Sequence, residues 1–216
     1  MHQLAHLVEG YRRFRETDYA THEGLYRQLF EQGQAPDTMV VACCDSRADP
    51  AMIFAARPGE LFVVRNVANL VPPCEADGHY HGTSAALEFA VTGLGVRNIV
   101  VLGHARCGGI QAFLEHHEGT AEAPAFIAKW LSIVGDAHDR LAAPDAAGDA
   151  SERQMQLEQA SILNSLDNLA TFPFVAERLR DGRLSVHGAY FSIGSGRLLA
   201  YEPDSGAFVT VPDGGN

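Results

Sequence analysis

No apolar stretch in the chain approaches the length of a membrane span, and the first residues, MHQLAHLVEGYRRF, lack the apolar centre of a secretory leader. A soluble cytoplasmic protein with no membrane partner is therefore expected. Basic charge is also scarce. Sixteen Lys and Arg face 27 Asp and Glu, a formal net charge of −11 with no basic block, so nucleic acid is not an expected partner. Cysteine is limited to positions 43, 44, 74 and 107, which make no small secreted disulfide framework. The vicinal pair Cys43-Cys44 is not a C-x-x-C redox motif. No G-x-G-x-x-G follows a strand. Gly103-x-x-x-x-Gly108 continues with Gly109-Ile110 instead of Lys-Ser/Thr, which disfavours a nucleotide site. Internal repeats and low-complexity segments are absent as well.

What is present suits one globular domain with a substantial core: 216 residues, 46% of them hydrophobic. The expectation is a single domain over 1–216, with an N-terminal helical arm at 1–36 and an α/β core at 37–216. Residues 4–31 carry Leu4, Leu7, Val8, Tyr11 and Phe14, then Leu25, Leu29 and Phe30, at helical spacing. Such an arm packs either on a partner subunit or on its own domain. Strands are expected at 39–42, 60–65 and 98–102, each followed by turn residues and helix: from Asp49-Pro50, over 83–94, and from about Ile110. Further helices are expected at 126–141, 151–171 and from Pro173 to about Gly182. A strand at 184–193 then pairs with 198–201 as a hairpin. The β-α-β-α-β-α order predicts an α/β fold with a central, mainly parallel sheet flanked by helices.

The chemistry gathers where two strands end. Met39 to Ala42 is a buried-strand run that stops on Cys43-Cys44 and passes at once into Asp45, Ser46 and Arg47. The third strand delivers Gly103-His104-Ala105-Arg106-Cys107-Gly108-Gly109. H-x-x-C spacing lets an imidazole and a thiolate from one turn reach the same ion, and an adjacent parallel strand brings Cys43 to both. Two thiolates and one imidazole suit zinc, with the fourth position open to water, substrate or Asp45. Asp45 and Arg47 form either an ordinary turn salt bridge or a pair in which Arg47 holds Asp45 off the metal as a proton acceptor. Cys44 and Cys74 read as packing residues, Glu88 as a paired structural carboxylate, and His79 and His81 as surface histidines.

Cys43-Cys44-Asp45-Ser46-Arg47 together with His104-Ala105-Arg106-Cys107-Gly108-Gly109 resembles the β-class carbonic anhydrases. ELFVVRNVAN at 60–69, YHGTSAALEFAV at 80–91, NIVVLGH at 98–104 and HGAYFSIGSGRL at 187–198 extend the likeness over nearly the whole chain. The resemblance implies Zn2+ on Cys43, His104 and Cys107, with Asp45 and Arg47 as the catalytic dyad. It implies a homodimer or homotetramer whose N-terminal helices embrace the neighbour, with the active site near the interface. Gln34 and the Gly108 amide would hydrogen-bond substrate, and Phe62 and Val67 would line an apolar CO2 pocket. Phe89 would belong to that pocket too, standing where many plant-type members carry Tyr. The implied reaction is reversible hydration of CO2 to bicarbonate and a proton by zinc-bound hydroxide. Two alternatives stay open at this point: hydrolysis of a CO2 analogue such as carbonyl sulfide, or a non-catalytic zinc-stabilised structural domain.

Two expectations follow from these residues. Some bacterial members have an inhibitory bicarbonate site built on a Trp, an Arg and a Tyr. Here Val40 stands in the Trp position and Arg65 in the Arg position, so no bicarbonate-locked state should form. Strongly cooperative bicarbonate inhibition would contradict this. The second concerns charge at the metal: two thiolates and a neutral imidazole leave a zinc site with no net charge. Bound water is then polarised less than at a three-histidine site, where its pKa is ~7. Hydration should climb over about pH 7 to 9 and be low in mild acid, measured by stopped flow, with acid-treated samples re-assayed at alkaline pH. A profile already flat by about pH 6.5 would overturn the charge argument.

Overall fold

Met39, Val40 and Val41 favour extended backbone and tolerate burial on both faces, and they seed the centre of the sheet. In the computed structural model, which describes residues 4–75, 81–141 and 149–214, they lie in β1 (Thr38–Cys43). The other strands are β2 (Leu61–Asn66), β3 (Asn98–His104), β4 (Ser185–Ser192), β5 (Arg197–Glu202) and β6 (Ala207–Thr210). Their spatial order is β2-β1-β3-β4-β5-β6; the first four run parallel and the last two antiparallel. Register places Val41 beside Val64 and Val101, and Cys43 beside Asn66. The C-terminal ends of β1, β2 and β3 therefore meet at one rim, where an open α/β sheet binds its ligands. β6 is an addition to the expected elements. Only four residues long and mostly solvent-facing, it offers little alternation to read.

The arm comprises α1 (Ala5–Phe14), a widened π-helical turn over Arg15–Tyr19, and α2 (Ala20–Gln32), and none of these buries a residue. α3 (Pro50–Ile53) begins as its sequence suggests: the Asp49 carboxylate accepts from the Ala51 and Met52 amides, and Pro50 occupies the first helical position. α4 (Gly82–Glu88) runs into a second π-helical stretch, Phe89–Leu94, closed by left-handed Gly95. α5 (Gly108–His117) starts directly after the H-x-x-C turn. The helix expected over 126–141 is instead broken into α6 (Ala125–Leu131), a 3-10 turn at Ser132–Val134, and α7 (Gly135–Leu141). The tightened turn buries Val134, which redirects the chain over the rim. α8 (Ala150–Leu169) and α9 (Pro173–Arg180) complete the helices. No helix among the described residues is long and apolar enough to cross a membrane.

Alternation along β1 divides the core. Met39 and Val41 join Ile99, Val101, Leu87, Val91, Ile162 and Val175 in one cluster. Val40 and Ala42 meet Leu102, Ala189, Ile53 and Phe54 in another. At the rim, Cys43 and Cys107 belong to a third cluster with Leu70, Ile110, Phe113, Leu131 and Leu157. α8 is unusual in burying polar side chains: Gln154, Glu158, Ser161, Asn164 and Ser165 all face inward. They tie down loops, since Ser165 Oγ accepts from the Val71 amide and Asn164 donates to the Ile133 carbonyl.

The first turn of α5 passes so close to the 3-10 turn Val67–Asn69 that a Cβ on Gly109 would lie 2.9 Å from Val67 Cγ1 and 3.0 Å from Ala68 Cβ. Gly109→Ala should cost about 1–3 kcal/mol in a urea unfolding curve. Unchanged stability would show that Val67 moves freely.

Candidate metal centre

Cys43 closes β1, His104 closes β3, and Cys107 is the N-cap of α5. Their Sγ, ring nitrogen and Sγ atoms lie within 4.8 Å of one another, all three residues are buried, and the two sulfurs are 4.0 Å apart as free thiols. His104 Nδ1 lies 3.0 Å from the Ala105 carbonyl, which only accepts, so Nδ1 carries the proton and Nε2 keeps its lone pair. That Nε2 is buried with no hydrogen-bond partner among the described residues, a costly arrangement for a ring nitrogen unless a cation fills it. The set is two soft sulfurs and an imidazole converging on one point, with the tautomer fixed by a carbonyl behind the ring. These donors fit zinc.

The electrostatics point the same way. The neighbouring Cys107 thiol draws Cys43 down to about 4; burial opposes this, while the Asp45 and Ala68 amides assist. The same contact, with burial, holds the Cys107 proton up, against the Ile110 and Gly109 amides of the first turn of α5. Without a cation the two sulfurs thus share one proton. Metal binding releases it, because only thiolates ligate. Burial pushes His104 down, but the Cys43 sulfur and the Ala105 carbonyl outweigh it and hold the imidazole above its ordinary value.

Asp45 sits at the edge of this trio. Its Oδ1 accepts from the Arg47 amide and Nε, both at 2.9 Å, and its Oδ2 accepts from Arg47 Nη2 at 2.7 Å. Oδ2 stands 3.9 Å from His104 Nε2. The Arg47 hydrogen bonds hold the carboxyl far below the usual carboxylate range. Arg47 Nη2 also donates to the Arg106 carbonyl at 3.1 Å, linking the Cys43 turn to the H-x-x-C turn. Arg106 itself is left-handed, φ +56°, an uncommon conformation for a residue with a Cβ. Arg65 buttresses the first turn from behind. Its Nε donates to the Cys43 carbonyl, Nη2 to the Asp45 carbonyl and Nη1 to the Asp49 carboxylate, at 2.9, 2.7 and 2.7 Å.

Other residues singled out from the sequence fall into two groups. Val67 lies in the rim cluster with Cys43 and Cys107 and lines a cavity of about 680 Å³ with Asn66, Thr83, Trp130 and Ile133. The Gly108 amide is the first N–H of α5, without an intrahelical acceptor. Gln34, Phe62 and Phe89 are not brought to the trio within this chain. Phe62 pairs with Met39, four residues before Cys43 and so ~13 Å back along the strand. Its ring lies 5.9 Å from that of Phe89, which is 52% exposed; Gln34 is exposed beyond α2. Three expectations need correcting. Cys44 and Cys74 are exposed and not packed, because one lies past the end of β1 and the other in the loop after Pro72-Pro73. Glu88 is exposed with no ion pair among the described residues, since it lies off the buried side of α4 that carries Leu87. His81 lines the cavity beside Thr83, whereas His79 lies outside the described residues. Glu158, Gln154 and Tyr190, which surround Cys107 from behind, were not singled out from the sequence. For Gln154 and Glu158 the signal was present: polar residues on the inward stripe of an amphipathic helix.

Comparison with known proteins agrees with this geometry. A family model described as carbonic anhydrase matches residues 38–198. β carbonic anhydrase 5, a chloroplastic protein of Arabidopsis thaliana, is 39% identical over 179 residues; the match covers 83% of this chain but only 58% of that protein's length. The solved structure of the β-carbonic anhydrase CcaA superposes with a TM-score of 0.90 at 31% identity, covering 99% of this chain and 94% of that one. A structure from a study of two tetrameric β-carbonic anhydrases of Sordaria macrospora gives a TM-score of 0.79 at 28% identity, covering 93% and 97%. With the fold, the paired turns and these relatives in agreement, the chain belongs to the β-class carbonic anhydrases.

Proposed function

We propose that this chain catalyses the reversible hydration of CO2 to bicarbonate and a proton. The observation that carries the reading is a buried Cys43–His104–Cys107 trio with a carboxylate at its edge that Arg47 keeps out of the ligand set. Zinc held by the trio would supply the Lewis acidity that makes a water nucleophilic near neutral pH. Asp45 is too acidic to keep a proton at such pH, so its Oδ2 orients that water by accepting a hydrogen bond. The Gly108 N–H, free of an intrahelical acceptor at the start of α5, would donate to an oxygen that gains negative charge as bicarbonate forms. Val67 contributes apolar wall against which an uncharged substrate displaces water. A purely structural zinc domain would close its fourth position with a protein ligand; Arg47 instead engages Asp45, whose Oδ2 stands 3.9 Å from His104 Nε2.

Gln34, Phe62 and Phe89 enter this reading through a second copy of the chain. Exposed Phe89 and an arm with no buried residue are what an embracing partner would cover, and a homodimer or homotetramer is part of the proposal, in line with the tetrameric relatives. So is a cytoplasmic location, where thiols that must ligate metal stay reduced.

Replacing Cys43, His104 or Cys107 with Ala should abolish zinc binding and CO2 hydration together, read by metal analysis and stopped flow on one sample. Asp45→Asn should keep its zinc yet lose roughly 10²-fold or more in turnover. A fully active Asn variant would remove Asp45 from the mechanism. Parallel rates with carbonyl sulfide decide whether CO2 is the better substrate.

A further inference from the structure

The two ligand-bearing turns are held in different ways. The Cys43 turn is gripped by Arg65 from within the sheet, whereas the H-x-x-C turn is held at Ala105 by the Phe191 carbonyl and at Arg106 by Arg47, neither of which bonds to Cys107. Support for Cys107 comes from α8, some fifty residues further along the chain. Glu158 Oε1 accepts the Cys107 amide N–H at 2.8 Å, and Gln154 Nε2 donates to the Cys107 carbonyl at 3.2 Å. Gln154 and Glu158 are one helical turn apart and bonded to each other at 2.9 Å. Both polar groups of the ligand residue's own backbone are thus met by one pair on one helix, the carbonyl sharing its lone pairs between Gln154 and the Gln111 amide of α5. Tyr190 of β4 completes the cluster by donating its hydroxyl to Glu158 Oε2 at 2.7 Å. The cluster is buried: Glu158 is 2% exposed, Tyr190 3% and Gln154 7%. No cation pairs with Glu158 among the described residues, and burial pushes its carboxyl up. A carboxylate kept here at that cost, on a helix that could have used leucine, calls for a purpose beyond packing.

We propose that Gln154 and Glu158 are positioning residues that clamp the Cys107 peptide and so aim its sulfur at the metal. The inference rests on the zinc reading of the trio. The clamp works through hydrogen-bond geometry. Gln at position 158 would preserve it, because its amide oxygen accepts from Cys107 and Gln154 while its NH2 donates to the Tyr190 oxygen. Leu at 158 would leave the Cys107 amide and the Tyr190 hydroxyl without partners. Leu at 154 would remove one of two donors to the Cys107 carbonyl, which keeps the Gln111 amide, and one donor to Glu158 Oε1, which makes it the milder variant and the one expected to fold in any case.

The test is zinc release from the purified full chain into excess chromogenic chelator, with thermal unfolding recorded alongside. Val175→Ala serves as a control that hollows the core at α9, on a residue with no part in the Gln154–Glu158–Cys107 hydrogen bonds. Glu158→Leu and Gln154→Leu should release zinc at least ~10-fold faster than the parent protein, and Glu158→Gln should stay within about 3-fold of it. Val175→Ala should melt earlier and release zinc at the parent rate. On cobalt(II)-loaded protein the ligand-field bands should move in the two Leu variants and not in Val175→Ala. Parent-like release from folded Gln154→Leu overturns the clamp, as does equal acceleration in Val175→Ala, which would mean that release only tracks stability. A Glu158→Gln defect as large as that of Glu158→Leu overturns positioning in favour of charge. A parent protein that takes up no zinc fails at the earlier step and overturns the metal centre itself.

Discussion

Two sulfur atoms sit 4.0 Å apart in a buried pocket and, under the zinc proposal, both would carry negative charge; much of the architecture answers to that constraint. Like charges at such separation repel strongly where water is excluded. A cation resolves the repulsion, but the protein has to present the site before the cation arrives. It does so with backbone amides: those of Asp45 and Ala68 face the Cys43 sulfur, and those of Gly109 and Ile110 face the Cys107 sulfur. This demands that three chain segments converge to within hydrogen-bonding reach. Parallel pairing of β1 with β2 and β3 brings their ends together, and the bare Cα of Gly109 lets α5 press onto the Val67–Asn69 turn. Arg47, bonded to Asp45 and to the Arg106 carbonyl, then ties the two turns into one unit.

Much of this was legible in the sequence because its signals are local. A β-branched run ending in Cys-x-Asp-x-Arg, and another ending in His-x-x-Cys, each announce a strand and the chemistry at its end. Asp49-Pro50 announces a helix start that Asp49 caps in the structure. The illegible parts depend on distance. β6 exists because β5 offers it an edge, not because AFVT insists on being a strand. The break after Leu131 comes from the need to bury Val134, although the apolar spacing from 126 to 141 reads as one continuous helix. Phe62 and Phe89 look like pocket residues by their motif, yet register sets Phe62 far back from the rim of its own chain, and the Phe89 ring lies beside it.

α8 is the sharpest case of information hidden in plain view. Its pattern, read for amphipathicity, places Leu157, Ile162 and Leu169 on the buried face, and the polar residues among them look like interruptions. In the fold those interruptions are the connections: Ser165 to the Val71 amide, Asn164 to the Ile133 carbonyl, Glu158 to the Cys107 amide. A purely apolar stripe would bury more oily surface but would leave each loop's backbone groups without partners, at about 1–3 kcal/mol apiece.

The arm has a consequence for how the molecule is handled. α1 is ten residues long and buries none of them, while Leu7 and Tyr11 stand 58% and 61% exposed. Isolated helices of that length are marginal in water, so the arm draws little of its helical order from the core to which it is joined. Under the oligomeric proposal that order is supplied by mass action. Dilution then loosens the arm while Cys43, His104 and Cys107 stay together in one chain, and a melting temperature quoted without a protein concentration describes only part of the chain.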